Sequence, residues 1–209
     1  MRLYWHPLSI IPWRVKIALH EKGLPHDEVQ IDVYSSTERS PELLQLNPFG
    51  QIPILEDEGL VIAESIAILE YLEERYPLPA LMPSGPVVRA TVRQLMCWST
   101  DYWPRAWKKW MAPHLPGGTW TDESVAEGRK EIAAHLDVIE LRLTGQQWLV
   151  GKYSLADICY APLVLVLDRV GLAEEVSARP AVSRWVDRLG QRRAVQETVL
   201  APVRVARGC

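Results

Sequence analysis
The chain has 209 residues, 48% hydrophobic and 23% charged, the make-up of an ordinary soluble globule with one large or two small domains. A formal net charge of −3 argues against general attraction to nucleic acid or an anionic membrane. The three cysteines, at 97, 159 and 209, form no CxxC pair, which speaks against a disulfide framework or a zinc ribbon. The start, MRLYWHP, lacks the apolar core of a signal peptide, and the longest apolar run, 158–167, is shorter than the ~20 residues that cross a bilayer. A cytoplasmic protein is expected.

The first part of the chain mixes strands and helices. Arg2 to Trp5 is a short strand. Ile10 to Lys22 is a helix with Val15, Ala18 and Leu19 on one stripe and Gly23 as its stop. His26 to Val33 alternates as a strand with Val29, Ile31 and Val33 on one face. Ser40 caps a short helix with Pro41 in its first position. Ile52 to Leu55 and Leu60 to Ala63 are strands around the hairpin signal EDEG. Ser65 to Tyr76 is a helix. The order is β-α-β-α-β-β-α.

Four Pro and a Gly in residues 77–86 rule out helix or strand there. The domains are therefore 1–77 and 87–209, joined by a linker at 78–86. The second part carries no strand pattern. Val87 to about His114, Thr121 to Leu143, Ser154 to Val170 and Ala181 to Leu189 are helical. The third is apolar nearly all round and should be the buried centre. Pro104 and Pro162 fall inside helical patterns, where kinks are expected.

There is no P-loop, GxGxxG, HExxH or GxSxG motif and no clustered Cys/His set, so no metal site is expected. The five His, at 6, 20, 26, 114 and 135, stand apart and read as surface or packing imidazoles, His114 least so. Three local features remain. In NPFGQIPIL (47–55), Pro53 opens a strand where it cannot donate to a ladder. A trans edge proline and a cis bond are equally compatible with the spacing. The cis form would leave the Ile52 backbone open to an extended peptide. At Glu64-Ser65 a strand runs straight into a helix. The helix start and the Ser65 hydroxyl suit a carboxylate, and Glu64 suits an ammonium, so an α-amino-acid head fits. Plain capping accounts for the same residues. Ser9, before the first helix, is an N-cap whose hydroxyl still has a proton to donate to a thiolate.

These residues resemble the glutathione S-transferase superfamily, cytosolic and serine-type, of theta/zeta-like bacterial kind. The resemblance is carried by LYWHPLSIIPWRVKIALHEKGL (3–24), NPFGQIPIL (47–55), AESIAILEYLEERYP (63–77) and SLAD (154–157), the last a capping box. It implies an α/β thioredoxin-like N-terminal domain that binds glutathione, then an all-α helical C-terminal domain, in a two-fold homodimer. By similarity Pro53 is cis, Ile52 bonds the cysteinyl backbone, Glu64 and Ser65 hold the γ-glutamyl head, Gln51 lies near the glycyl end and Ser9 activates the thiol. Trp5 holds the place of the tyrosine of the tyrosine-type classes, and Tyr4 should face the other way. Ile10 and Ile11 replace the Ser-Cys that follows the serine in the zeta class.

Trp103, Trp107, Trp110 and His114 form one helical stripe. In the family this helix walls the electrophile pocket, so Trp103 and Trp107, with His6 and Leu8, are expected to line it, while Trp110 packs in the core. The implied activity is conjugation of the glutathione thiolate to an apolar or aromatic electrophile, as in detoxification. The alternatives are a glutathione-dependent isomerase, a dehalogenase or lyase, and a non-catalytic glutathione-binding interaction protein. Glutathione is co-substrate, and neither nucleic acid nor membrane is a partner. The tail from Ala201 to Cys209 has no pattern and no assigned role.

Overall fold
The computed structural model describes residues 1–33, 39–114 and 119–199. It comprises two compact units: Met1–Met82 joined by a segment that starts at Arg192, and Pro83–Gln191. The first unit runs β1 (Arg2–Trp5), α1 (Ile10–Glu21), β2 (Asp27–Gln30), α2 (Pro41–Leu46), β3 (Ile54–Asp57), β4 (Leu60–Ala63) and α3 (Ser65–Arg75). Its sheet has the order β2-β1-β3-β4, with β1 and β2 parallel and the other pairs antiparallel, a thioredoxin-like arrangement. Trp5 pairs with Gln30, Tyr4 with Ile54, and Ile54 with Ala63. The ends of β1, β2 and β4 and the start of β3 therefore share one end of the sheet.

Local chemistry explains the boundaries. The expected strand from Ile52 begins instead at Ile54, directly after the proline that has no N–H for the ladder. The expected strand 26–33 narrows to Asp27–Gln30, although Val29, Ile31 and Val33 do pack together against Tyr4, Leu43 and Ile54. Helix α1 stops where Gly23 takes φ 62, a conformation that suits glycine. The Ser40 side chain accepts the Leu43 N–H, which caps α2.

A buried ion pair ties this unit to its outgoing chain. Lys22 Nζ lies 2.7 Å from Glu73 Oε2 and donates to the carbonyls of Tyr76 (2.7 Å) and Pro79 (3.0 Å). Glu73 in turn accepts the N–H groups of Leu81 and Met82. The Lys22 side chain has no exposed surface.

The second unit comprises α4 (Pro86–Asp101), α5 (Trp103–Met111), α6 (Asp122–Leu143), α7 (Leu155–Leu165), α8 (Ala173–Ser177) and α9 (Pro180–Gly190). The single helix expected over 87–114 is two. It breaks at Tyr102, and Pro104 sits in the first turn of α5, where its missing N–H is harmless. Helix α7 is buried at every position from Leu155 to Val164, as expected, but ends at Leu165 rather than Val170. A 3-10 turn, Asp168–Val170, follows, closed by Gly171 at φ 80. Helices α5 and α6 cross so closely that a Cβ at Gly128 would stand 2.7 Å from the Trp110 backbone nitrogen.

The last described helix, α10 (Arg193–Glu197), belongs to the first unit, so the helical domain does not hold the whole of 87–209. The reason is specific bonding. Trp13 Nε1 donates to Thr198 Oγ1 at 2.9 Å, and Arg192 grips both oxygens of Glu21 at 2.6 and 2.7 Å.

The core of the helical unit holds a polar chain. Asp157, in the capping box with Ser154, accepts from the Leu149 and Ser154 N–H groups and from Trp185 Nε1. Burial nevertheless pushes its carboxyl up to about 6. His135 Nε2 meets the Tyr160 hydroxyl at 2.7 Å, and burial pushes this imidazole down to about 4. The two groups oppose each other. From pH 3.8 to about 6 the folded chain keeps a proton on Asp157 that the unfolded chain has lost, so this contribution falls as pH rises. From pH 6.5 to about 4 the unfolded chain carries a proton on His135 that the folded chain lacks, so that contribution falls as pH drops.

Two predictions follow from these buried charges. Glu73→Gln leaves the Lys22 ammonium without its countercharge and should lower the unfolding free energy by ~3–5 kcal/mol; a urea titration showing no loss would refute the assignment. Relative to wild type, Asp157→Asn should lose stability more steeply as pH drops from 6 to 4, by up to ~1.4 kcal/mol per pH unit. His135→Gln should tilt the other way, gaining relative stability over the same drop. Parallel pH curves for all three proteins would disprove the compensation.

Candidate functional site
Three chain segments converge at the end of the sheet defined by Tyr4, Ile54 and Ala63. The first is the turn from β1 into α1. Its N–H and C=O groups are partly closed within it: Ser9 N–H donates to His6 O at 3.0 Å, and Leu8 N–H donates to His6 Nδ1 at 3.1 Å. Ser9 occupies the N-cap position of α1 with extended backbone, but its side chain makes no capping bond. The expectation of a hydroxyl that accepts a backbone N–H is thus corrected. The half-buried Ser9 hydroxyl stands uncommitted at a helix start, where the dipole favours negative charge.

The second segment is the loop from α2 to β3. Asn47 is buried and organises it: its side chain donates to Gln51 O at 2.9 Å and accepts Phe49 N–H at 3.1 Å. Sequence reasoning passed over Asn47, although Asn before a turn carries this signature. Gly50, at φ 60, lets the Arg39 side chain pass so closely that a Cβ would stand 2.6 Å from Arg39 Cγ. Arg39, also passed over, donates to Val33 O at 2.9 Å and brings a cation to this loop. The Ile52–Pro53 bond is cis. Gln51 is exposed, Ile52 half-buried and Pro53 buried.

The third segment is the junction of β4 and α3. Glu64 occupies the N-cap position with φ 71, left-handed backbone that a non-glycine residue adopts at a cost of ~1–3 kcal/mol. Its exposed carboxylate makes no capping hydrogen bond, which leaves the favourable placing of its charge at the helix start as the capping contribution. Ser65, the first residue of the helix, is 4% exposed. Two helix starts, α1 and α3, and one projecting carboxylate therefore share this end of the sheet. Opposite charges on one small ligand match that pattern.

The Tyr4 hydroxyl donates to Glu56 Oε2 at 2.8 Å on the α2 face, and Trp5 lies under Lys16 of α1, whose Nζ is 3.6 Å from the ring centroid. The two side chains face opposite ways, as expected of neighbours in a strand.

The aromatic stripe departs from expectation. Trp103 is 1% exposed, its ring edge-to-face with His135 at 5.3 Å, so it is core and offers no surface for a wall. Trp107 is half-buried. Trp110, expected in the core, is half-buried and donates to Val170 O at 3.2 Å. His114 is exposed. In the first unit, Leu8 is 49% exposed and His6 half-buried.

A thioredoxin-like unit with this site, followed by an all-helical unit, defines the class as a two-domain thioredoxin-like protein. Residues 1–74 match the glutathione S-transferase N-terminal domain and residues 104–192 the C-terminal domain, so the chain belongs to the glutathione S-transferase family. It is 35% identical over 214 residues to glutathione S-transferase 3 of Zea mays, covering 96% of this chain and 94% of that one. It is 33% identical over 199 residues to maleylacetoacetate isomerase of Pseudomonas aeruginosa, covering 90% of each. The solved structure of glutathione S-transferase-I bound with lactoylglutathione is similar at TM-score 0.83 and 30% identity, covering 95% of this chain and 97% of that one.

The strain at Glu64 separates structure from function. Glu64→Gly removes both the left-handed penalty and the carboxylate. Stability should hold or rise by up to ~1 kcal/mol, while affinity for glutathione should fall by ~1–3 kcal/mol. Lost stability with unchanged affinity would make Glu64 a purely structural residue.

Proposed function
We propose that this chain is a glutathione transferase that conjugates the glutathione thiolate to an apolar or aromatic electrophile. The observation that carries the reading is the row Tyr4–Ile54–Ala63, which gathers Ser9, the Ile52–Pro53 loop and Glu64-Ser65 at one end of the sheet.

In this reading the tripeptide lies extended along Ile52, whose backbone precedes the β3 ladder. Its γ-glutamyl carboxylate meets the start of α3 and the Ser65 hydroxyl, and its ammonium meets Glu64. Gln51 and the Arg39 cation flank the glycyl end. The cysteinyl sulfur reaches the Ser9 hydroxyl, which donates to it. Lowering a thiol from pKa ~8.5 to ~6.5 requires ~2.7 kcal/mol. One charge-assisted hydrogen bond (~1.5–3 kcal/mol) and a helix start (~0.3–1 kcal/mol) are of that size. The thiol proton passes to solvent, the sulfur lone pair forms the new C–S bond, and the electrophile's leaving group departs with its electron pair. Leu8 and His6 present the apolar and polar sides of the electrophile site. The protein acts as a two-fold homodimer.

A second reading is favoured by the relative from Pseudomonas aeruginosa, whose name is that of an isomerase. There the thiolate adds to a carbon–carbon double bond and leaves again after rotation, so glutathione is not consumed.

The test is a titration of the near-ultraviolet thiolate band of bound glutathione. Ser9→Ala should retain glutathione and raise the apparent thiol pKa by ~1–2 units. Identical titrations would leave Ser9 as a helix start only. Loss of free thiol on reaction with model electrophiles supports the transferase, whereas product formation with free thiol conserved supports the isomerase.

A further inference from the structure
The Ser9 side chain makes no capping bond at the start of α1, so its hydroxyl goes where the backbone of residue 9 puts it. That backbone belongs to the four-residue turn His6-Pro7-Leu8-Ser9, which carries the chain from β1 into α1. Two bonds close the turn, and both end on His6. The Ser9 N–H donates to the His6 carbonyl at 3.0 Å, the first-to-fourth bond of a β-turn. The Leu8 N–H donates to His6 Nδ1 at 3.1 Å, a bond to the side chain of the first residue.

Turns of this kind have defined residue preferences. Pro7 stands second, where its fixed φ suits the turn. Among the described residues positive φ outside glycine occurs only at Glu58 and Glu64, so Leu8 in third place excludes the type II form. In type I turns the first place favours Asp, Asn or Ser, and an Asx side-chain oxygen there accepts the N–H two residues on. Here an imidazole nitrogen does what that oxygen does. A backbone N–H only donates, so Nδ1 is the acceptor and carries no hydrogen. Residue 6 therefore fixes the turn twice, through its carbonyl and through its ring.

Given the glutathione reading, on which this rests, we propose that His6 is a positioning residue for thiol activation. Its Nδ1 lone pair holds the Leu8 N–H, the bond sets the turn, and the turn aims the Ser9 hydroxyl at the cysteinyl sulfur. The imidazole itself takes no proton from the thiol. Without that acceptor the N–H of the exposed Leu8 turns to water, and the turn spreads over conformations that point the hydroxyl elsewhere. Asparagine at position 6 offers an acceptor at the same spacing of two residues. Leucine there offers bulk and no acceptor.

The test titrates the near-ultraviolet thiolate band of bound glutathione on the full chain: wild type, Ser9→Ala, His6→Leu, His6→Asn and the double variant Ser9→Ala/His6→Leu. His6→Leu should raise the apparent thiol pKa by ~0.5–1 unit, whereas His6→Asn should titrate as wild type does. The double variant should titrate as Ser9→Ala does, because the hydroxyl to be placed is gone. A direct action of the imidazole on the sulfur would add to the Ser9→Ala shift instead. Circular dichroism and retention on immobilised glutathione check that each variant is folded, and His6→Ala replaces His6→Leu if leucine is not accommodated. A wild-type titration in His6→Leu, an equal shift in His6→Asn, or additive shifts in the double variant would overturn the proposal and leave the Ser9 reading standing. A wild-type titration in Ser9→Ala would instead overturn the thiol-activation reading, and the role of His6 with it.

Discussion
Backbone hydrogen bonding between β1 and β3 sets Tyr4 opposite Ile54, and β4 extends the row to Ala63. Slipping either pairing by one residue would turn every side chain of that strand to the other face. Tyr4 would leave the cluster with Leu43, and Trp5 would leave Lys16. The same slip would separate the starts of α1 and α3. The glutathione reading is thus a reading of strand register, and register is held by the apolar faces on both sides of the sheet.

Much of this was legible in the chain. The apolar stripe and Gly23 marked α1, Ser40-Pro41 marked α2, and SLAD marked the start of α7. Each signal is local: a cap, a stop, a period of 3.6. The misses depend on distant partners. The break at Tyr102 is decided by where α5 must turn, and periodicity runs straight through it. The burial of Trp103 depends on His135, 32 positions later in the numbering. Asn47 and Arg39 matter because a loop passes close to Gly50, and nothing in their spacing announces that. His20 and His26 are adjacent only because a helix end and a strand start meet across a tight turn. Cysteine and histidine counting along the chain has no access to that.

Both units place ionisable groups in their interiors, and each is tied to a change of direction. Lys22 and Glu73 fasten the chain where it leaves α3. Asp157 collects the turn before α7 and the indole of α9. Burying these charges is expensive unless every donor and acceptor is met. Such groups therefore define which turn geometry is allowed more than they add to net stability.

The bond from the Trp13 indole to the Thr198 hydroxyl joins residues 185 positions apart. On the ribosome the N-terminal unit emerges long before that hydroxyl exists. Its first helix therefore waits, with an indole N–H solvated, while the entire helical unit is made. The early half of the protein can gain this bond only after residue 198 has been made.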